Sequence, residues 1–404
     1  MFIADLHIHS KYSRATSHDM DVEHLAKWAD LKGVKLLGTG DFTHPDWLKE
    51  LKEKLILEDG LYKYKDTYFL LTAEVCNIFP HKGKAKKIHN ILLAPNFSEA
   101  ENINKELKKY GSLSSDGRPI LSLDCCLMVK IIKKISPSSQ IIPAHIWTPH
   151  FSLFGANSGF NQIEECFKDA TKEIFALETG LSSDPPMNRR LSTLDRFNLI
   201  SNSDAHSPSK IGREANVFDC PLNYEEIMKT LKTGENFLFT IEFFPQEGKY
   251  HFDGHRNCKM RVPPEEAMRK DNLCPLCLRP LTIGVMHRVL ELADRKTEDI
   301  PDKFIPHKNL IPLEEIIADA LQIGVQTKGV REEYLSLVKR FGSELKILLD
   351  VSPSVIRKQF NSAIGERILA VREGRVLIEE GYDGVYGKIK IPVQENTDSQ
   401  LKLF

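Results

Sequence analysis

The strongest constraint on the fold of this chain is a recurrence. Short apolar, β-branched runs, most of them closing on a carboxylate or an imidazole, alternate with segments of helical spacing. Val-Lys-Leu-Leu-Gly-Thr-Gly leads to Asp41, Tyr-Phe-Leu-Leu-Thr-Ala to Glu74, Gln-Ile-Ile-Pro-Ala to His145, and Glu-Ile-Phe-Ala-Leu to Glu178. His89 instead opens its run, Ile-His-Asn-Ile-Leu-Leu-Ala-Pro. Val22 to Lys32 and Cys126 to Ile135 read as intervening helices. Alternating β and α predicts a parallel sheet or barrel, whose reactive side chains gather at the C-terminal ends of the strands.

Two pairs sharpen this pattern. A strand carries residues i and i+2 on one face, so in Phe-Ile-Ala-Asp-Leu-His-Ile-His-Ser the side chains of Asp5, His7 and His9 project together, while Phe2, Ala4, Leu6 and Ile8 face the other way. Asp204 and His206 form a second such pair in Leu-Ile-Ser-Asn-Ser-Asp-Ala-His-Ser-Pro. A single histidine at a strand end is usually structural. A whole series of such residues on one alternating pattern points to a multinuclear metal site. Imidazole and carboxylate without thiolate suit zinc, manganese or iron. Cys76, Cys125, Cys126, Cys166 and Cys220 fit buried small hydrophobes.

The order His-x-His, Asp, Glu, His, His, Asp-x-His resembles the metal-binding signature of the PHP superfamily of phosphoesterases. The longer strings Asp-Leu-His-Ile-His-Ser-Lys-Tyr-Ser, Leu-Glu-Thr-Gly-Leu-Ser-Ser-Asp-Pro-Pro-Met-Asn, Gly-Lys-Tyr-His-Phe-Asp-Gly-His-Arg and Gly-Tyr-Asp-Gly-Val-Tyr-Gly are similar to those of the endonuclease Q family, along nearly the whole chain. That resemblance implies an α/β fold with a distorted (β/α)7 barrel. It implies one metal on His7, His9, Glu74 and Asp204, and a second on His89 and His145 bridged by Glu74. Asp41 and His206 complete a third position, with Glu74, Asp204 and His206 as catalytic residues. Zinc is the implied metal, at two or three positions, replaceable by manganese or magnesium. The chain departs from the general PHP pattern at Phe42, where His is common, and at Ser13-Arg14-Ala15-Thr16, which lacks an acidic residue. His44 is a second candidate for the third position.

The implied activity is hydrolysis of DNA at the phosphodiester 5′ to uracil, hypoxanthine, xanthine or an abasic site, by a water that the metals activate. A deaminated base pairs poorly, so extruding it costs less. The alternative is a small-molecule PHP phosphatase acting on histidinol phosphate or a nucleotide, which needs none of the appendages described next. A non-catalytic scaffold with a decayed barrel is disfavoured by the nearly complete ligand set.

At 404 residues the chain is long enough for several domains. The expected division is a barrel over 1–240, a zinc-binding segment over 241–298, and a mainly helical region over 299–404. In the second, His255, Cys258, Cys274 and Cys277 have the spacing of two ligand pairs closing a tetrahedron around one structural zinc, with His251 as the alternative fourth ligand. In the third, Leu348 to Glu373 resembles a helix-hairpin-helix DNA-binding module; helices packed on the barrel are the other reading. Net charge is −1, so phosphate contacts must come from local basic groups. Lys82, Lys84, Lys86 and Lys87, read as a loop ahead of His89, are the candidates, together with Arg189 and with Trp47, which could stack on a base. Gly33 to Gly40 imitates a phosphate loop but lacks its Lys-Ser/Thr pair. No apolar stretch approaches the roughly 18 residues of a membrane helix, and the expectation is a soluble, cytoplasmic monomer whose partner is damaged DNA. Any partner among other repair or replication proteins stays open.

Overall fold

A computed structural model of the protein describes residues 1–392. Its strands, in chain order, are β1 (Phe2–Asp5), β2 (Leu36–Gly38), β3 (Ile56–Glu58), β4 (Leu61–Tyr64), β5 (Thr67–His81), β6 (Lys84–Ala94), β7 (Ile120–Leu121), β8 (Gln140–Pro143), β9 (Ala176–Glu178), β10 (Asn198–Ile200), β11 (Ala215–Phe218), β12 (Phe237–Glu242), β13 (Asp253–His255), β14 (Met260–Val262), β15 (His307–Asn309), β16 (Leu377–Glu379) and β17 (Lys388–Lys390). Eleven of them form one sheet, and β9 pairs only with β10. The fold is therefore mixed α/β with a central sheet.

The expected parallel arrangement holds for β1–β2, β2–β5 and β9–β10, but β1–β11, β5–β6 and β6–β8 run antiparallel. The reason lies in the segment read as a lysine-rich loop. Lys82 and Gly83 both have positive φ, 49° and 76°, the signature of a two-residue hairpin turn whose twist matches its flanking strands. β5 and β6 thus form one long hairpin, and Glu74 sits in the middle of a 15-residue strand instead of at its end.

Side chains from β1, β2, β5, β6, β8, β9, β10 and β11, among them Ala4, Leu36, Leu70, Ile91, Ile142, Ala176, Ile200 and Phe218, converge in one buried cluster. Leu61 of β4, Phe237 of β12 and the helix Tyr224–Thr233 join the same core, so ten strands contribute to it. Among the described residues no closed sheet forms. Side-chain amides stitch β10 to β1 and β11: Leu6 N donates to Asn202 Oδ1 (2.8 Å), Ser201 N to Asn216 Oδ1 (3.0 Å), and Asn216 Nδ2 to Ser201 O (2.8 Å). Helices such as Val22–Lys32 and Cys125–Ile135 cover the outer faces, each capped by an aspartate, Asp21 or Asp124.

Beyond the sheet, β13 and β14 make a small hairpin, and five helices from Leu313–Leu321 to Ser362–Arg372 pack together. A buried ion pair between Lys32 and Glu344 (2.5 Å) ties these helices to Val22–Lys32. The hairpin β16–β17 returns to the segment before β13: Gly381 N donates to Gln246 O (2.8 Å) and Phe252 N to Gly381 O (2.9 Å). No helix among the described residues is long and apolar enough to cross a membrane.

Candidate metal centre

His7 and His9 follow β1, Asp204 follows β10, and Glu74 reaches them from the centre of β5. One ligand atom from each of the four lies within 4.8 Å of all the others. His9 Nε2 stands 3.0 Å from Asp204 Oδ1 and 3.2 Å from Glu74 Oε2, and His7 Nε2 is 3.7 Å from both oxygens. His7 Nε2, His9 Nε2 and Asp204 Oδ1 are nevertheless buried without a hydrogen-bond partner. Buried polar atoms normally find partners, so three orphans converging on one point fit a cation.

The opposite ring nitrogens explain the aim. His7 Nδ1 is 3.0 Å from both Glu178 oxygens, and His9 Nδ1 is 3.1 Å from Asp41 Oδ1 and from Ser13 Oγ. Such a carboxylate fixes the tautomer and turns the Nε2 lone pair toward a metal. Glu178 itself accepts from His145 N (2.8 Å) and Asn202 Nδ2 (2.8 Å).

A second cluster shares Glu74. Its Oε1 is 2.6 Å from His89 Nδ1 and 3.0 Å from His145 Nε2, while its Oε2 faces the first cluster. The carboxylate is thus placed as a bridge. Thr148 Oγ1 lies 3.1 Å from His145 Nδ1. Asp41, His145 and Asp204 all adopt positive φ, at 49°, 29° and 48°. Non-glycine residues held there store strain, which concentrates at functional sites.

The electrostatics agree with this geometry. Burial works against the charged form of His7 and His9, but Glu178 and Glu74 around the first and Asp41, Asp204 and Glu74 around the second hold both imidazoles well above their ordinary range. Burial likewise opposes ionisation of Glu74 and Asp204, and the surrounding histidines overcome it. A field that retains protons on imidazoles will accept a divalent cation in their place. Burial pushes His89 down to about 4 against the pull of Glu74, keeping it neutral, as a ligand must be.

Several expected residues lie elsewhere. Asp41 is outside both clusters: its oxygens are taken by His9, Ser10 N (2.6 Å), Ser10 Oγ (2.7 Å) and Ser13 Oγ (2.9 Å), so it orients His9. His206 bonds the Asp204 carbonyl through Nδ1 (2.8 Å) at the mouth of the site, its side chain 32% exposed. The third ligand set is not brought together. His44 stacks on Tyr12. Trp47 is fully buried and donates Nε1 to Gly40 O (2.8 Å), so it is core and has no face for a base. Arg189 is buried on the carbonyls of Leu194 and Phe197, which corrects its reading as a DNA-binding residue. Lys86 Nζ bonds Gly159 O and Lys87 lies over Phe151, whereas Lys82 and Lys84 stay exposed at the hairpin tip.

Sequence reasoning missed Arg118, whose Nη1 donates to Glu74 Oε2 (3.0 Å). It follows no apolar run and has no periodic spacing from the other site residues.

Away from the sheet, His255, Cys258, Cys274 and Cys277 also come within 4.8 Å of one another, with Cys277 Sγ 3.2 Å from His255 Nδ1. Although burial raises a thiol, the backbone N–H groups of Cys277 and Leu276 hold Cys274 down at about 6. Three thiols and one imidazole are a donor set suited to zinc. His251 is not part of it: it is buried against Phe252 with Nδ1 unpartnered.

The fold and this site define a class, an α/β protein with a central sheet whose two histidine clusters share one carboxylate and fit metal ions. Residues 312–375 match the family model of the MJ0043 C-terminal domain. The uncharacterized protein MJ0043 of Methanocaldococcus jannaschii is 32% identical over 257 residues, which are 62% of this chain. The chain spans only 32% of that protein's length. The crystal structure of the lesion-specific endonuclease PfuEndoQ from Pyrococcus furiosus superposes with a TM-score of 0.88 at 32% identity, covering 100% of this chain and 99% of the other. An endonuclease Q complex with a 27-mer duplex bearing an abasic lesion at the active site superposes at 0.86, also with 32% identity and 99% of each chain covered. The chain belongs to the endonuclease Q family.

Proposed function

We propose that this protein hydrolyses the DNA phosphodiester on the 5′ side of a deaminated base or an abasic site. The observation that carries this reading is Glu74, one carboxylate facing two histidine clusters, in a chain that aligns end to end with a nuclease seen holding an abasic lesion. His7, His9, Asp204 and Glu74 would hold one divalent metal, and Glu74, His89 and His145 another. When bound, such ions supply Lewis-acid stabilisation of a phosphodiester and activate a water for attack.

The chain's own groups do the rest. Glu178, Asp41 and Ser13 fix the tautomers of His7 and His9. His206 donates Nδ1 to the Asp204 carbonyl, which leaves Nε2 as a neutral acceptor at the mouth. Burial and the neighbouring His9 hold that imidazole below its ordinary range, so it can take a proton from the attacking water. The strands gathered around one core support a distorted (β/α)7 barrel within 1–240. One structural zinc on His255, Cys258, Cys274 and Cys277 would organise 241–298, and the region 299–404, of which 393–404 lie outside the described residues, would grip the duplex with the helices from Leu313–Leu321 to Ser362–Arg372.

The test is a labelled duplex carrying one deoxyinosine, one deoxyuridine or one abasic analogue, incubated with divalent metal beside a panel of phosphomonoesters. Nicking 5′ to the lesion, absent in Asp204→Asn and His9→Ala, is expected. Turnover of monoesters without any nicking would replace this reading with a small-molecule phosphatase.

A further inference from the structure

We infer that Arg118 clamps the scissile phosphate, presenting N–H groups to its non-bridging oxygens from beside Glu74. The inference rests on the proposed phosphodiester hydrolysis. Among the described residues, Arg118 is the one Lys or Arg side chain ion-paired to a member of either cluster. Its side chain is 28% exposed, so it stands at the mouth of the site and not behind it. A guanidinium carries five donors in a rigid fork, and among the described residues only Glu74 accepts a hydrogen bond from it.

The loop that presents it is a built support. Gly117 N donates to Tyr12 O (3.0 Å), Thr43 Oγ1 donates to Gly117 O (3.2 Å), and Arg118 N donates to Asp116 Oδ1 (3.2 Å). A Cβ at Gly117 would stand 2.3 Å from Asp41 Oδ2 and from Ser13 Oγ, so only glycine lets the loop lie against the groups that orient His9. The next carbonyl, Pro119 O, accepts Cys76 N (2.9 Å), two residues from Glu74. Arg118 is thereby fixed to three segments around the first cluster, those that follow β1 and β2 and β5 itself.

Charge explains why an arginine at this position needs an anion. A guanidinium beside cations is repelled by them unless a negative group is shared between them. Glu74 supplies part of that charge, and a phosphodiester supplies the rest. As the water oxygen bonds to phosphorus and the bond to the leaving deoxyribose oxygen breaks, charge gathers on the non-bridging and leaving oxygens. The proton that His206 takes from the water passes to solvent, and the leaving oxygen takes up a proton from solvent as its bond to phosphorus breaks. A donor fork aimed at the non-bridging oxygens then gains strength in the transition state.

The test uses the full chain on the abasic and deoxyinosine duplexes, with Arg118→Ala and Arg118→Lys. For Arg118→Ala, kcat should fall by about 100-fold, the scale of losing one preorganised donor to developing charge, with KM changed far less. Added guanidinium should restore part of the rate. Bound metal per chain after dialysis, and the melting temperature, should match wild type. Arg118→Lys should keep more activity than Arg118→Ala. A wild-type kcat in Arg118→Ala would overturn the inference, as would a loss of bound metal proportional to the loss of rate, which would make Arg118 a support for Glu74 alone. If wild type itself nicks neither duplex, the proposed reaction fails instead, and the two failures are distinct.

Discussion

Replacing Glu178 by glutamine tests the logic of the centre without touching any direct ligand candidate. Both oxygens of Glu178 are fully engaged. Oε1 lies 3.0 Å from His7 Nδ1 and accepts Asn202 Nδ2 at 2.8 Å, while Oε2 lies 3.0 Å from the same ring nitrogen and accepts His145 N at 2.8 Å. Whichever way a glutamine turns, its NH2 group must face a donor. The clash leaves a buried donor unpaired, costing about 1–3 kcal/mol of stability. Loss of the carboxylate also removes the partner that fixes the His7 tautomer. Carboxylates that orient metal-bound histidines are worth about 10–100-fold in metal affinity or activity, or about 1.4–2.8 kcal/mol at tenfold per 1.4 kcal/mol. Glu178→Gln should therefore bind divalent metal about 10–100-fold more weakly by calorimetric titration, nick correspondingly slowly at limiting metal, and recover partly at saturating metal. Metal affinity equal to wild type, in a protein that has lost only stability, would refute the claim that Glu178 aims His7 at a cation.

Three further outcomes are expected. Cys277→Ser should purify with about one zinc fewer per chain and unfold more readily, since structural zinc binding contributes on the order of 10 kcal/mol to folding in finger peptides; elemental analysis showing unchanged zinc would exclude the cluster. Lys82→Ala combined with Lys84→Ala should weaken binding to damaged and undamaged duplex alike and flatten the log–log salt dependence by about 0.9 for each phosphate no longer neutralised, and an unchanged slope in an anisotropy titration would move the DNA track off the hairpin tip. Glu242, which burial and the nearby charge of Asp184 raise from 4.5 to about 8, contributes stability that is fully present below 4.5 and lost as pH rises through 8. Glu242→Gln should gain on wild type in melting temperature across that window; parallel curves would show that Glu242 ionises freely.

The sequence by itself determined which chemistry the chain carries. The i, i+2 spacing of His7 with His9, and the apolar runs leading to Asp41, Glu74, His145 and Glu178, are local patterns, and local patterns survive in a one-dimensional reading. The two ligand pairs from His255 to Cys277 were legible for the same reason, because each pair is wrapped by its own turn. What only the tertiary structure decided was which of these residues share a point in space. Asp41 became a partner of His9, outside both clusters, because three neighbouring hydroxyl and amide groups occupy its Oδ2 while its Oδ1 faces His9 Nδ1. Trp47 was buried by packing of the helix Pro45–Lys54, although Asp46, Lys49 and Glu50 stand close to it in sequence. Lys82 to Lys87 became a hairpin through two positive φ angles that no hydrophobic period announces. Arg118 reaches Glu74 across 44 residues of chain, an approach set by the pairing of β5 with β7, and long-range register is the part of a fold that local spacing does not encode.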